Sequence, residues 1–184
     1  MQPESVIGEQ QLKEMCELAL HSPEGCFVEV GVYKGGSAYR LAEIAKEHGR
    51  KIFLYDTFTG IPFADSVDTH SVGDFSETSY EKVCEDIPYA QVVKGTFPYS
   101  LVEMPSVAFA HIDADQYRSV KHSIESLLPK MADGGVMLFD DYMALVGATL
   151  AVDNAFGSSV ELTQSQKGFV RITAKMKEDA CQSS

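Results

Sequence analysis

Apolar residues recur along this chain with two spacings, one typical of helices and one typical of strands. Residues 8–21 carry apolar side chains three and four positions apart, which predicts a leading amphipathic helix, and residues 119–130 predict another. Short apolar runs rich in β-branched and aromatic residues lie at residues 26–30, 52–55, 91–94, 107–112 and 136–139. Strands that alternate with helices predict an α/β fold, with a mostly parallel sheet and helices on both of its faces.

Three segments depart from this alternation. Residues 160–163 and 169–172 predict a terminal antiparallel hairpin. Residues 62–88 are polar, with helical spacing only near their end; such a segment inside a compact domain is typically a lid or a substrate loop, although a plain surface excursion stays open. The polar residues 176–184 predict a disordered tail. Because no repeat or linker divides the chain, we expect residues 1–184 to form one domain.

Composition narrows the class of protein. Of the 184 residues, 45% are hydrophobic and 23% are charged, as in an ordinary globular enzyme. The formal net charge of -12 argues against nucleic acid and anionic membranes as partners, because such binding depends on Lys and Arg. The first residues lack the features of a signal peptide, and no apolar run has the length of a membrane span. We therefore expect a cytoplasmic protein with a small-molecule partner, and we leave a homodimer open.

A glycine-rich turn follows the first predicted strand, where residues 29–37 read EVGVYKGGS. Glycine at the first position of the turn permits a tight bend, and the later glycines let a ligand approach the backbone. The turn lacks the GxGxxG pattern of dinucleotide sites, and an acidic residue two positions before the first glycine favours a cofactor with an amino group. The candidate cofactor residues in this turn are Glu29, Gly31, Tyr33, Gly35 and Ser37.

The second predicted strand ends on Asp56. A carboxylate at this point can accept hydrogen bonds from both hydroxyls of a ribose, and Thr57 and Phe58 beside it can flank an adenine. The alternative is an ordinary aspartate that begins an Asx turn. Because the glycine-rich turn lies upstream at a suitable interval, the nucleoside interpretation is favoured.

An acidic set follows the last two central strands, at Asp113, Asp115, Asp140 and Asp141. The ends of neighbouring parallel strands meet at one edge of a sheet, so these carboxylates should converge and repel one another unless a cation neutralises them. Oxygen ligands favour Mg²⁺ or Ca²⁺ over zinc. The alternative, in which one aspartate caps a helix and the others are solvated, is weaker for the set than for any single residue.

These motifs resemble the macrocin O-methyltransferase family, whose members use S-adenosylmethionine to methylate hydroxyls of sugars or phenols, several of them in antibiotic biosynthesis. The resemblance extends from about Phe27 to Tyr142. It is carried by FVEVGVYKGGS, LYDTFTGIP, HSVGDFSETSYEKV, VVKGTFPYSL, HIDADQYRSV and LLPKMADGGVMLFDDY. HIDADQY followed by GGVMLFDDY is the most specific part.

The resemblance implies a Rossmann-like class I methyltransferase fold with a seven-stranded sheet. It also implies a Mg²⁺ ion held by Asp113, Asp140 and Asp141. The residues that it implies for S-adenosylmethionine are Glu29, Gly31, Ser37, Asp56, Thr57, Gly95, Thr96 and Asp113.

The general base is the least defined part of the predicted site. The metal chemistry of the family is similar to that of catechol O-methyltransferases, which place a lysine three residues after the first metal aspartate. Gln116 stands at that position here. We therefore predict His70, in the predicted lid, as the base, with His111 as the second candidate.

The predicted function is methylation of a hydroxyl on a small sugar, diol or phenolic acceptor, with Mg²⁺. Two alternatives stay open. One is a metal-independent methyltransferase of the same fold, in which the acidic set is structural. The other is a module that binds S-adenosylmethionine or another nucleoside without catalysis.

Overall fold

The computed structural model describes residue 3 and residues 5–182, with six helices and seven strands among them. The helices are α1 (Glu9–Leu20), α2 (Gly36–Glu47), α3 (Tyr80–Asp86), α4 (Tyr117–Leu127), α5 (Val146–Phe156) and α6 (Ala174–Gln182). The strands are β1 (Cys26–Val30), β2 (Ile52–Asp56), β3 (Gln91–Lys94), β4 (Val107–Ile112), β5 (Met131–Phe139), β6 (Glu161–Leu162) and β7 (Gly168–Arg171). No helix in this part of the chain has both the length and the apolar character needed to cross a membrane.

The seven strands form one mixed sheet in the order β3-β2-β1-β4-β5-β7-β6. The strands β1 to β5 run parallel to one another, whereas β7 is antiparallel to both β5 and β6. The strand order changes direction between β1 and β4. In open α/β sheets, ligands bind at the carboxyl ends of the strands at such a point.

Helices cover both faces of the sheet. On one face, Leu12 of α1 and Leu41 of α2 pack in a buried cluster with Phe27 of β1. On the other face, α4, α5 and α6 pack in a second cluster that contains Val28. Successive residues of β1 thus serve opposite faces, and all five residues of the strand are buried. The Rossmann-like methyltransferase fold expected from the sequence is confirmed.

The structure differs from the sequence prediction near the end of the chain. Helix α5 was not predicted, and helix α6 occupies residues 174–182, where the sequence predicted a disordered tail over residues 176–184. Met176 and Ala180 of α6 pack against the core, and Lys177 Nζ donates a hydrogen bond to the backbone oxygen of Met131 at 3.1 Å. These contacts are with remote residues, so local polarity did not reveal them. Residues 183 and 184 lie outside the described part of the chain.

Candidate active site

A cavity of about 370 Å³ opens at the carboxyl ends of β1, β2 and β4. Eight of the predicted site residues line it: Gly31, Tyr33, Asp56, Thr57, Gly95, Asp113, Asp140 and Asp141. Seven others are not part of its lining: Glu29, Gly35, Ser37, Phe58, Thr96, His70 and His111. The volume is in the range of sites for small molecules, so the cavity is the natural candidate for a ligand site.

Gly31 begins the turn after β1 with a φ of +90°. A Cβ atom at this position would collide with the backbone oxygen of Asp113. The nitrogen of Asp113 donates to the backbone oxygen of Val30 at 2.9 Å, so the two chain segments leave their neighbouring strands side by side. Glycine is therefore required here by the close approach of β4, as well as by the left-handed backbone of the turn.

Asp56 fixes the glycine-rich turn from the end of β2. Its Oδ2 accepts hydrogen bonds from the backbone nitrogens of Val32 and Tyr33, both at 2.8 Å. Its Oδ1 accepts from the nitrogen of Phe58 at 2.6 Å, which is the geometry of an Asx turn. The residue also lines the cavity. The two interpretations of Asp56 are thus compatible, since the carboxylate shapes the turn and still faces the cavity.

Glu29 is buried behind the cavity, with no exposed surface. Its Oε1 accepts a hydrogen bond from Ser37 Oγ at 2.5 Å and lies 3.0 Å from His111 Nδ1. Glu29 and Ser37, which were predicted to hold the cofactor, are thus engaged with each other. In this arrangement they support the turn between β1 and α2 and do not line the cavity.

The acidic set converges at one side of the cavity. One carboxylate oxygen from each of Asp113, Asp140 and Asp141 lies within 4.8 Å of the other two. We call these three residues the acidic cluster. Within the described residues, the Asp113 carboxylate accepts no hydrogen bond, and Asp141 accepts one, from the nitrogen of Asp115 at 3.1 Å. Asp113 follows β4 and the other two follow β5, so the parallel pairing of these strands brings the cluster together.

Mutual repulsion changes the proton affinity of these groups. Burial, together with the charges of Asp141 and Asp140, raises the pKa of Asp113 well above its ordinary value. Burial and the charges of Asp115 and Asp140 raise the pKa of Asp141 to about 7. Burial and the charge of Asp140 raise the pKa of Asp115 to about 6. A divalent cation would relieve this repulsion, and oxygen donors at this spacing suit Mg²⁺.

Asp140 differs from its neighbours because two cationic groups lie behind it. Lys167 Nζ is 3.0 Å from its Oδ2 and donates to its backbone oxygen at 2.5 Å. His111 Nε2 is 4.0 Å from Oδ1, which is too long for a hydrogen bond but close enough for electrostatic attraction. Burial acts to raise the pKa of Asp140, but His111 and Lys167 lower it below its ordinary value. Asp140 is therefore held ionised.

His111 is a buried neighbour of Asp140 and not an exposed base. Complete burial acts to lower its pKa, but the carboxylates of Asp140 and Glu29 raise it by more, so the pKa lies well above its ordinary value. The two carboxylates therefore favour the charged form of the ring. A buried imidazole that does not line the cavity is poorly suited to remove a proton from an acceptor.

His70, the other predicted base, belongs to the lid segment (residues 62–88). Its Nε2 lies 3.9 Å from Asp115 Oδ1, and its ring contacts Phe75 edge to face. The backbone oxygen of His70 accepts a hydrogen bond at 2.7 Å from Gln116 Nε2, whose side chain is fully buried. Gln116 therefore holds the lid segment, and His70 reaches the site only beside Asp115.

Several residues at the site were not predicted from the sequence. Lys167 lies on the turn before β7, and only its contact with Asp140 reveals its role. Tyr55 and Phe97 line the cavity and contact each other edge to face, with ring centroids 5.0 Å apart. The local sequence offers no signal for Lys167. For Tyr55, the sequence signal is its position next to Asp56 at the end of β2.

A family model described as a methyltransferase domain matches residues 28–142, which contain the glycine-rich turn and the acidic cluster. The chain belongs to this family of methyltransferase domains. The match covers more than half of the chain and includes every residue of the acidic cluster.

Two curated relatives of this methyltransferase domain carry names of O-methyltransferases. The 8-demethyl-8-(2,3-dimethoxy-alpha-L-rhamnosyl)-tetracenomycin-C 4'-O-methyltransferase of Streptomyces olivaceus is 27% identical over 139 residues, which are 64% of this chain and 53% of that protein. The demethyldecarbamoylnovobiocin O-methyltransferase of Streptomyces niveus is 29% identical over 149 residues, which are 70% of this chain and 57% of that protein. The chain thus spans little more than half the length of these relatives.

A solved structure similar to the methyltransferase domain is that of the O-methyltransferase NovP. It superposes with a TM-score of 0.79 and 22% sequence identity, over 92% of this chain and 82% of that chain. At this identity the likeness establishes the fold. The family is therefore established as that of methyltransferase domains, whereas membership of the macrocin group remains a prediction.

Proposed function

We propose that this protein is an S-adenosylmethionine-dependent O-methyltransferase that uses Mg²⁺ and acts on a hydroxyl of a small sugar, diol or phenolic acceptor. The observation that carries the proposal is the meeting of two features in one cavity. A glycine-rich turn fixed by Asp56 forms one wall, and the acidic cluster forms another. The first suits a nucleoside cofactor, and the second suits a divalent cation.

The cavity wall has the donor set that a nucleoside needs. Beyond its three backbone hydrogen bonds, the Asp56 carboxylate retains one acceptor site, on Oδ1, and the residue faces the cavity beside Thr57 and Gly95. Tyr55 and Phe97 add aromatic surface to the same wall. When bound there, S-adenosylmethionine supplies an activated methyl group. The chain's own contribution is to orient that group toward the acceptor side of the cavity.

The acidic cluster fits a hard cation because its oxygens lie close together and two of its three carboxyls have raised pKa values. When bound there, Mg²⁺ supplies a positive charge that lowers the pKa of an acceptor hydroxyl. Lys167 and His111 hold the third ligand, Asp140, ionised and oriented.

Asp115 is the side chain that we propose to accept this proton. It lines the cavity next to the cluster, so its carboxylate is placed to accept a proton from a hydroxyl that lies beside the cluster. His70 Nε2 lies 3.9 Å from Asp115 Oδ1, which is too long for a direct hydrogen bond, so the imidazole lies beside this carboxylate without taking its proton directly. In this proposal Asp115 contacts the acceptor hydroxyl, and His70 lies next to Asp115.

The names of the relatives guide the choice of acceptor. One relative is named for a 4'-O-methylation of a rhamnosyl tetracenomycin, and the other for O-methylation of demethyldecarbamoylnovobiocin. We therefore propose a natural-product sugar or phenol as the acceptor. Cytoplasmic location and a homodimer stay predictions from the sequence.

The test is calorimetric titration of metal-stripped protein, first with S-adenosylhomocysteine and then with Mg²⁺, on the wild type and on the Asp140→Asn/Asp141→Asn double variant. We expect both proteins to bind the nucleoside and only the wild type to bind Mg²⁺. Asp133→Asn, an exposed position outside the cavity, is the matched control. Assays with diols and catechols then follow, with and without Mg²⁺.

Each alternative predicts a different result. Nucleoside binding with methyl transfer that does not respond to Mg²⁺ would support the metal-independent methyltransferase. Nucleoside binding without transfer to any diol or catechol would support the non-catalytic module. Failure to bind S-adenosylhomocysteine would contradict the assignment of the cavity.

A further inference from the structure

The lid segment makes direct contact with the glycine-rich turn. The ring of Phe75 meets the ring of Tyr33 edge to face, with centroids 6.0 Å apart and an interplanar angle of 83°. The hydroxyl of Thr78 donates a hydrogen bond to the backbone oxygen of Tyr33. One residue of the turn is therefore held by two residues of the lid segment.

Tyr33 is also rigidly connected to the cofactor wall of the cavity. Its nitrogen donates to Asp56 Oδ2 at 2.8 Å, and both Tyr33 and Phe75 line the cavity. Ile61 and Pro62, at the base of the lid segment, line the cavity as well. The contact between Phe75 and Tyr33 thus joins the lid segment to the glycine-rich turn across the same cavity.

A separate set of contacts holds the lid segment to α4. Asp68 Oδ1 accepts from the backbone nitrogen of Tyr117 at 2.8 Å, and Asp65 pairs with Arg118 at 2.6 Å. The ring of Phe63 lies under the Arg118 guanidinium, 5.1 Å from its central carbon. Attachment to α4 therefore does not depend on Phe75 or Thr78.

Burial does not account for the position of Phe75. Its side chain remains 41% exposed, so the ring contributes little to the core, and its φ of +62° is unfavourable for a residue other than glycine. The ring's contacts are with Tyr33 and His70, both at the site.

We propose that Phe75 and Thr78 form a latch that closes the lid segment onto Tyr33 and thereby retains the cofactor. This inference rests on the proposed function, since it takes the cavity to be the cofactor site. In this arrangement the lid segment contributes to cofactor affinity through the latch, and its contacts with α4 attach the segment without contributing to that affinity. Phe75 and Thr78 are positioning residues that act through Tyr33.

The test measures the Kd and the dissociation rate of S-adenosylhomocysteine, by calorimetry and by chase of the labelled ligand. We expect Phe75→Ala to raise the Kd about tenfold, mostly through faster dissociation, since an aromatic pair accounts for a change of this size. Thr78→Val, which keeps the shape and removes the hydroxyl, should raise the Kd about threefold. Phe75→Tyr, which restores the ring, should bind within about twofold of the wild type.

Phe63→Ala is the matched control, because it removes the same side chain from the same lid segment but on the side of α4. It should leave the Kd for S-adenosylhomocysteine unchanged, with thermal unfolding confirming that each variant is folded. A Kd for Phe75→Ala close to that of the wild type, or an equal loss in Phe63→Ala, would overturn the latch. If the wild type does not bind S-adenosylhomocysteine, the proposed function fails and the latch fails with it.

Discussion

Carboxylates lie at or beside the carboxyl ends of four neighbouring strands, but they form two groups with opposite surroundings. Glu29 and Asp56, the supported pair, accept hydrogen bonds from Ser37, His111 and three backbone nitrogens. The acidic cluster faces other carboxylates, with raised pKa values for Asp113 and Asp141. Hydrogen-bond donors surround both members of the supported pair. In the acidic cluster Lys167 supports Asp140, whereas Asp113 and Asp141 mainly face other carboxylates.

The largest expected effect is the loss of the buried member of the supported pair. Glu29→Ala leaves a charged imidazole without its partner at a fully buried site, so we expect the free energy of unfolding to fall by about 4 kcal/mol. Urea unfolding at neutral pH measures this change. Glu24→Ala, at an exposed position, should alter stability by less than about 0.5 kcal/mol. A loss for Glu29→Ala as small as that of the control would place Glu29 outside the supported pair.

Asp56→Asn replaces one acceptor oxygen by an amide nitrogen that faces backbone donors. The glycine-rich turn then loses at least one charged hydrogen bond, and we expect a stability loss of about 3 kcal/mol. The affinity for S-adenosylhomocysteine should fall as well, by about tenfold, because the turn forms the cavity wall. Urea unfolding and calorimetry measure the two effects. Unchanged stability would indicate that the turn does not depend on this carboxylate.

The pH dependence of stability tests the acidic cluster, where we expect ionised carboxyls to lower the free energy of unfolding. A carboxyl whose pKa is raised in the folded state binds more protons when folded, so stability falls as pH rises through the window. For Asp141 the window extends from 3.8, its ordinary value, to about 7. Asp115, whose folded pKa is about 6, acts in the same direction. Asp140, whose pKa is lowered, contributes stability that is lost only at lower pH, as pH falls through its folded pKa.

Without metal, we therefore expect the free energy of unfolding to be about 2 kcal/mol lower at pH 8 than at pH 5. Saturating Mg²⁺ should remove most of this decrease, because the cation replaces the protons. Urea unfolding in chelator and in Mg²⁺ measures both curves. Stability that rises across this window in chelator would contradict the repulsion within the cluster.

The smallest effect has the sign opposite to that of Glu29→Ala. Asp141→Asn removes one of the repelling charges and keeps an oxygen that can accept from the nitrogen of Asp115. The metal-free protein should gain about 1 kcal/mol at pH 8, while its response to Mg²⁺ is lost. Thermal unfolding with and without Mg²⁺ measures this, with Asp133→Asn as the control. A destabilised variant would mean that Asp141 belongs with the supported carboxylates.

Most of the fold could be predicted because its elements have distinct hydrophobic periods. β1 and β4 are short, mostly apolar runs, buried along their whole length, and α1 has one apolar face. Helix α5 lacks this contrast: the run VGATLAVDNAF is apolar around much of the helix, and Val146 and Leu150 even remain exposed. Helix α6 was not predicted because it is mostly polar and few of its residues pack against the core. Both missed helices lie where the hydrophobic periodicity of the sequence is weak.

The sequence by itself determined the class of the fold, the turn at Gly31 and the identity of the convergent acidic residues, because these follow from local patterns and from the parallel order of strands. Only the tertiary structure decided what each carboxylate does. The donors that occupy Glu29 come from α2 and β4, and Lys167, which supports Asp140, comes from the turn before β7. Proton affinity and hydrogen bonding depend on neighbours that are distant in the sequence, so no local pattern could separate the supported pair from the acidic cluster.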